Sequence, residues 1–129
     1  MKFSTRAEYG LKAMANLAKD YPAQKTARDI SNEENISIKY LERLIGKLRD
    51  NNLVVSQKGK NGGYTLRKKP SETKVGEIVE VLDGPISPMR CVGETCAMQN
   101  QCPSSFVWTK LGVQIKKTLY AIKLSDLIK

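Results

Sequence analysis

One segment of this 129-residue chain constrains its fold more than any other, because an amphipathic helical pattern leads directly into a basic, glycine-rich turn. Four apolar side chains recur at the spacing of one helix face, which predicts a helix with one buried side. Ser37 is of the type that caps such a helix, and the asparagine pair at 51–52 should end it. Two β-prone runs, 53–55 and 64–66, then enclose the basic turn and predict a hairpin. The four apolar residues are Leu41, Leu44, Ile45 and Leu48.

Two shorter helices are predicted upstream of this segment. The first begins at Ser4 or Thr5 and ends at Tyr21–Pro22, because proline disfavours helix in the residue before it. The second opens at Thr26, runs through Ile30 and stops within the polar residues 31–35. Three short helices followed by a basic hairpin are typical of a winged helix-turn-helix, whose third helix enters the major groove of DNA.

The distribution of charge agrees with this interpretation. The chain carries 22 Lys and Arg against 13 Asp and Glu, a net charge of +9, and residues 1–70 hold +8 of it. A field of one sign on one half of the chain suggests a polyanionic partner, although a basic surface without a specific partner remains an alternative. The glycine-rich turn lacks the Lys-Ser/Thr end of a Walker motif, which argues against a nucleotide site. The candidate DNA contacts are Arg28, Lys39, Glu42, Arg43, Lys47, Lys58, Lys60, Asn61 and Gly62.

Histidine is absent from the sequence. Its absence excludes a Ser/His or Cys/His catalytic pair and every His-ligated zinc site, so we expect no enzyme activity. The chain also lacks an apolar run long enough to span a membrane and a secretory signal at its N-terminus. We therefore expect a cytoplasmic protein without a membrane partner or a small-molecule substrate.

Three cysteines, Cys91, Cys96 and Cys102, lie in an irregular stretch that follows a predicted linking helix. In a reducing compartment, clustered cysteines more often bind metal or sense redox state than form structural disulfides. Thiolates are the usual ligands of iron–sulfur clusters, but a cluster or a zinc ion takes four ligands and this stretch supplies three. The fourth would be an oxygen donor, a residue of a partner subunit or an exogenous group. Simple redox thiols are the alternative.

A long helix is predicted after the cysteines, from Ser104 to Ala121. Its apolar residues alternate at three and four positions, a pattern typical of a helix that pairs with another helix. We expect a homodimer, which also matches the reading of symmetric DNA half-sites; the alternative is packing against the first helix of the same chain. The predicted organisation is a DNA-binding domain at 1–70, a linking helix and cysteine loop at 71–103, and a dimerisation helix and tail at 104–129. The apolar positions are Trp108, Leu111, Ile115, Thr118 or Leu119, and Ile122.

Several motifs together resemble the IscR/NsrR/CymR superfamily of bacterial winged-helix transcription regulators. They are FSTRAEYGL at 3–11, KYLE at 39–42, KGKNGGY at 58–64, LDGP at 82–85 and the three cysteines. The resemblance spans nearly the whole chain and implies a mainly α-helical protein with a small β-hairpin, which forms a homodimer through long C-terminal helices. It implies that Ser37, Tyr40, Glu42 and Arg43 lie on the recognition helix and that Lys58 reaches the minor groove.

The same resemblance implies a cofactor. In many members the cysteine loop holds an iron–sulfur cluster, with two or four irons, and here the ligands would be Cys91, Cys96 and Cys102. Members that control iron–sulfur homeostasis place a histidine ligand where this chain has Ser105. Members that sense nitric oxide use an acidic residue of the partner subunit's first helix instead, and Glu8 occupies the matching position. Thr5 and Glu8 also fit a capping box of the first helix, which gives Glu8 a purely structural alternative role.

The sequence thus predicts a repressor or dual regulator that senses iron–sulfur status, redox state or nitric oxide through a cluster. A thiol sensor without a cluster is the nearest alternative. A small iron–sulfur electron carrier is a third, but such a carrier has no need of a basic N-terminal half or of a recognition helix.

Overall fold

A computed structural model describes residues 2–59, 62–88 and 103–128 of the chain. Within these ranges the protein is mainly α-helical with one two-stranded antiparallel hairpin, as predicted. Short 3₁₀ turns occupy Pro70–Glu72 and Leu124–Ile128. The elements in chain order are α1 (Thr5–Lys19), α2 (Ala27–Glu34), α3 (Ile38–Asp50), β1 (Val54–Gln57), β2 (Gly63–Leu66), α4 (Val75–Asp83) and α5 (Pro103–Ala121).

Helix α1 begins where predicted, at Thr5, but its cap differs from the prediction. Ser4 is the capping residue, and its Oγ accepts a hydrogen bond from the backbone N–H of Ala7 at 3.2 Å. The predicted capping box of Thr5 and Glu8 is therefore wrong, since Thr5 already lies in the first turn and the third helical position is Ala7. This correction leaves the Glu8 side chain without a capping role.

Helix α2 begins and ends where predicted. Thr26 and Asp29 form a reciprocal capping box at its start, with N–H···O distances of 3.1 and 3.2 Å. The helix then runs through Ile30 to Glu34, within the polar residues 31–35 where it was predicted to stop. It ends at Asn35, whose φ of 56° is left-handed, a conformation that asparagine tolerates better than most residues.

Helix α3 follows the prediction closely. Ser37 caps it by accepting a hydrogen bond from the N–H of Tyr40 at 3.2 Å, and the helix ends at Asp50. Its four apolar side chains are all buried, with at most 2% of any of them exposed. They pack among residues of α1, α2 and α4, which fixes the opposite face of α3 toward solvent.

The hairpin is attached to the helices through its second strand. Val54 pairs with Leu66 and Gln57 with Gly63 in the antiparallel register. Tyr64 also exchanges two backbone hydrogen bonds with Lys25, at 2.7 and 3.0 Å. A Cβ at Gly63 would lie 2.7 Å from the Lys25 carbonyl oxygen, so this close approach requires glycine.

One hydrophobic core includes residues from both ends of the chain. Ile78 and Leu82 of α4 and Leu124 beyond α5 join the cluster formed by α1, α2, α3 and the hairpin. Leu124 is fully buried, and its N–H donates to the Thr73 carbonyl at 2.8 Å. Helix α4 begins at Val75, after the 3₁₀ turn at residues 70–72.

Helix α5 packs against α4 mainly near its C-terminal end. There the Tyr120 ring covers Gly76, and its hydroxyl donates to Glu80 at 2.8 Å. Burial and this hydrogen bond raise the pKa of Tyr120 to about 12. Only Ser105 and Gly112 of α5 are buried, whereas four large apolar side chains lie exposed: Phe106, Val107, Leu111 and Val113.

Candidate nucleic-acid interface

The exposed face of α3 carries the side chains predicted to meet DNA. Lys39, Glu42, Arg43 and Lys47 are all exposed, opposite the buried apolar stripe. The major groove of DNA is wide enough to admit an α-helix. Lysine and arginine can contact guanine edges or phosphates from such a face, and a glutamate can accept a hydrogen bond from cytosine.

Two further predicted contacts lie at the start of α3 and are partly engaged in the fold. The Ser37 hydroxyl caps the helix, and Tyr40 is half-buried. The Tyr40 ring meets the Tyr9 ring of α1 edge to face, with centroids 5.9 Å apart. Tyr40 therefore lies at the boundary between the exposed face of α3 and the core, where α1 holds its ring.

The hairpin presents Lys58 directly after β1, and this side chain is exposed. It borders a shallow cavity of about 500 Å³ between the hairpin and the residues that join α1 to α2. In that cavity the Gln24 side-chain amide donates to the Gln57 side chain, which ties the joining residues to the hairpin. The N–H of Gly62 donates to the Gly59 carbonyl at 2.9 Å. Lys60 and Asn61 lie outside the described residues.

The predicted cationic contacts are not neutralised by the fold. In the described part of the chain, none of the five forms an ion pair with a carboxylate. The fold thus leaves positive charge on α2, α3 and the hairpin available for an external anion. The five are Arg28, Lys39, Arg43, Lys47 and Lys58, all exposed.

Lys25, in contrast to these five cations, is neutralised by carboxylates within the fold. Its ammonium donates to Asn16 and Asp20, each at 2.7 Å, and to Glu33. The buried Asn16 amide in turn donates to Glu33 at 3.0 Å and to Glu34 at 2.7 Å. Because the Lys25 backbone also pairs with Tyr64, this polar network fixes the hairpin relative to α1 and α2.

The start of α1 contributes residues that the sequence analysis did not assign. The Ser4 N–H donates to Asp83 at 3.0 Å and the Ser4 hydroxyl donates to the same carboxylate. Arg6 donates through Nε to the Leu82 carbonyl at 3.2 Å, and its guanidinium lies 4.0 Å from Asp83. We call Ser4, Arg6 and Asp83 the α1–α4 junction. No local pattern could have indicated it, since its partners are 79 residues apart.

Glu8 lies on the exposed side of α1. Its side chain is 63% exposed, and its nearest described cation is Lys12, at 3.8 Å. It borders a small, mostly apolar cavity of about 210 Å³ between α1, α4 and α5, to which Phe3, Val79 and Leu119 contribute. A carboxylate in this position is accessible from outside the chain.

The three cysteines predicted as ligands, Cys91, Cys96 and Cys102, lie outside the described residues. Within residues 2–59, 62–88 and 103–128, no three Cys, Asp or Glu side chains come together in a group that could hold a metal ion. In the same ranges, no helix is both long enough and apolar enough to cross a membrane.

Comparison with known proteins identifies the family. The family model Rrf2, described as an iron-dependent transcriptional regulator, matches residues 3–129. The chain belongs to the Rrf2 family. This result confirms the resemblance to winged-helix regulators that the sequence motifs indicated.

Individual Rrf2 relatives agree over almost the whole chain. CymR of Bacillus subtilis, an HTH-type transcriptional regulator, is 35% identical over 98% of this chain and 89% of its own. IscR of Yersinia pseudotuberculosis, also an HTH-type transcriptional regulator, is 35% identical over 99% of this chain and 79% of its own. The structure of CymR, the global cysteine regulator of B. subtilis, superimposes with a TM-score of 0.82 at 33% identity, over 99% of this chain and 96% of that one.

Proposed function

We propose that this Rrf2-family chain is a DNA-binding transcription regulator that senses iron–sulfur status, redox state or nitric oxide through a cluster held by its cysteines. It acts as a homodimer on a double-stranded operator in the cytoplasm. The alternative is a regulator that senses redox state through the same thiols without a cluster. Both alternatives share the DNA-binding surface, and they differ in what Cys91, Cys96 and Cys102 bind.

The observation that carries DNA binding is the set of unpaired cations on α2, α3 and the hairpin. These lysines and arginines are exposed and form no ion pair with a described carboxylate. Phosphate contacts by such residues supply most of the sequence-independent affinity for DNA. The exposed face of α3 lies among them, which supports direct reading of base edges in the major groove.

The chemistry of the donor set supports a cluster. Three thiolates within twelve residues suit iron–sulfur ligation, and the chain has no imidazole to complete the site. Glu8 is exposed and has no capping role, so its carboxylate is free to serve as the fourth ligand for the partner subunit. When bound, the cluster supplies a centre that reacts with oxidants or nitric oxide.

The α1–α4 junction supports a route from the cysteine segment to the DNA-binding surface. Asp83 ends α4 shortly before the cysteines, and it holds the first residues of α1. The start of α1 borders the Tyr40 and Arg43 side chains of α3. Regulation through this route requires two states of the protein, and the occupied cysteine segment favours one position of Asp83 over another.

DNA binding is tested by substitution of two of the predicted contacts, one on α3 and one after β1. We expect Arg43→Ala and Lys58→Ala each to weaken binding to an operator selected from random-sequence DNA by the wild-type protein. Lys19→Ala is the charge-matched control, because Lys19 is an exposed lysine in the last turn of α1 and is not a predicted DNA contact. Equal operator affinity in all three variants would show that the reading surface is misplaced.

The cluster is tested by anaerobic purification followed by absorption and Mössbauer spectroscopy. We expect a coloured protein with thiolate-to-iron charge-transfer bands, and a less stable or altered spectrum in Glu8→Ala than in the exposed control Glu72→Ala. A colourless protein with three free thiols after anaerobic reconstitution would instead favour the thiol sensor. Operator binding by the loaded and the empty forms then tells which one represses.

A further inference from the structure

A groove between the start of α1 and α3 brings predicted DNA contacts of α3 together with residues of α1 that were not predicted to bind DNA. Its volume is about 580 Å³. Three cations and three hydroxyls line it, and no carboxylate does. We call it the α1–α3 groove, and its lining residues are Ser4, Thr5, Arg6, Tyr40, Arg43, Leu44 and Lys47.

The cations come from two separate helices and converge although they repel one another. Arg43 and Lys47 project one turn apart from α3, and Arg6 projects from the first turn of α1. Arg43 and Lys47 have no carboxylate partner among the described residues, and Arg6 has only Asp83, at 4.0 Å. A convergence of this kind costs stability in the free protein, so it is suited to an anion that the free protein lacks.

We infer that the α1–α3 groove receives a backbone phosphate of the DNA beside the major groove that α3 enters. The assignment to DNA and not to a free anion follows from position, since Arg43 and Lys47 belong to the same exposed face as the base-reading side chains. Arg6 is the additional contact, together with the Thr5 hydroxyl. The inference rests on the proposed function, because it requires that α3 bind DNA.

The α1–α4 junction gives this contact a defined geometry. Arg6 lines the groove, its Nε is held by the Leu82 carbonyl, and one of its terminal nitrogens lies 4.0 Å from Asp83. A guanidinium held at one edge loses less side-chain freedom when it binds a phosphate than a free one does. The groove therefore joins the end of α4 to the DNA backbone through a single side chain.

Because a phosphate contact does not depend on sequence, the test uses two short duplexes of unrelated sequence. We expect Arg6→Ala to weaken binding to both by about threefold to fivefold and to reduce the slope of log affinity against log salt concentration by about 1. Lys19→Ala, which removes one positive charge about 20 Å away along α1, should leave the salt slope closer to that of the wild type.

A second pair of variants separates binding from folding. Glutamate in the first turn of a helix is favourable for the helix, so Thr5→Glu should unfold at the same or a higher temperature than Thr5→Gln. In the groove the same carboxylate repels phosphate, so Thr5→Glu should bind both duplexes more weakly than Thr5→Gln. Stability and affinity are thus expected to change in opposite directions.

The outcomes are distinguishable. If the wild-type protein binds neither duplex nor a selected operator, the proposed function fails. If it binds DNA but Arg6→Ala matches Lys19→Ala and Thr5→Glu matches Thr5→Gln, only the phosphate site is wrong. If inorganic phosphate at equal ionic strength raises the unfolding temperature of the wild type but not of Arg6→Ala, the groove is a site for a free anion and the assignment to DNA is overturned.

Discussion

At the scale of single residues, the Lys25 ammonium joins Asn16, Asp20 and Glu33 in one polar network. Burial disfavours its charged form, but the hydrogen bonds to Asp20 and Glu33 outweigh that cost and raise the pKa of Lys25 above its ordinary value. The ammonium is therefore charged in the folded protein throughout the physiological range. The stability that it contributes is present below the ordinary lysine pKa and is lost only as the pH rises through the raised value.

Glu33 belongs to the same network, and we expect it to make the stability of the fold sensitive to acid. Hydrogen bonds from Lys25 and Asn16 lower the pKa of Glu33 below its ordinary value of 4.5. The stability that its carboxylate contributes is therefore present above that value and lost as the pH falls through the lowered one. We expect Glu33→Gln to reduce the urea midpoint at neutral pH and to flatten its fall on acidification, compared with the exposed control Glu42→Gln. Parallel pH profiles for the two variants would contradict the role given to Glu33.

Alanine substitutions at two helical glycines are expected to change the stability of the protein in opposite directions. A Cβ at Gly46 of α3 would meet only Arg49, at 3.8 Å, so alanine fits there. Gly46→Ala should stabilise the protein by up to about 1 kcal/mol, because alanine loses less backbone entropy in a helix. A Cβ at Gly10 would lie 2.0 Å from the Leu82 side chain, so Gly10→Ala should destabilise it. Urea unfolding measures both, and a Gly10→Ala variant as stable as Gly46→Ala would be inconsistent with the packing of α1 on α4.

At the scale of elements, the sequence predicts the caps and the buried face of individual helices, but it does not predict the contacts that join one helix to another. The caps of α2 and α3 and the buried stripe of α3 follow from local residue types and spacing. The α1–α4 junction does not, because its hydrogen bonds link residues far apart in the chain. The capping box predicted for α1 was wrong for a local reason, because Ser4 and not Thr5 accepts the hydrogen bond that caps the helix.

Asp83 gives the element-scale prediction. Its carboxylate is largely buried, with 16% of the side chain exposed, and it accepts hydrogen bonds from the N–H and the hydroxyl of Ser4. Asp83→Ala leaves the start of α1 without these acceptors and should lower the free energy of unfolding by about 1–2 kcal/mol. Asp50→Ala, which removes an exposed carboxylate next to Arg49, is the matched control.

Urea unfolding measures the free energy of unfolding of Asp83→Ala and Asp50→Ala. A loss that is equal in the two variants would mean that the α1–α4 junction contributes nothing measurable to stability.

At the scale of the whole molecule, the chain separates a basic surface from an apolar one. The first 70 residues carry nearly all the excess positive charge, whereas α5 exposes Phe106, Val107, Leu111 and Val113. Sequence periodicity anticipated an apolar surface on α5 but placed it partly on other residues, since Ile115 and Leu119 are half-buried and Ile122 lies beyond the helix. The spacing of apolar residues along α5 does not indicate that its last turns pack on α4.

The exposed apolar side chains of α5 predict self-association. A contiguous apolar surface on a helix is typical of an interface, and a second copy of the same helix is the partner that symmetry favours. Leu111→Lys and Val113→Lys should each shift the protein toward monomers in sedimentation velocity at a concentration at which the wild type is dimeric. Leu127→Lys, which alters an exposed leucine outside α5, is the control and should stay dimeric. A wild-type monomer at high concentration would refute the predicted dimer.

The burial of Leu124 among residues from the first half of the chain also fixes when the protein can finish folding. Leu124 is the last member of the core cluster in chain order, and the turn that carries it packs against α1, the first helix to be made. A nascent chain can form its helices and its hairpin as they are synthesised, but the core stays open on one side until residue 124 is available. Translation that stops anywhere within α5 would therefore yield a polypeptide with an exposed apolar surface, which is recognised as unfolded and not as a shorter regulator.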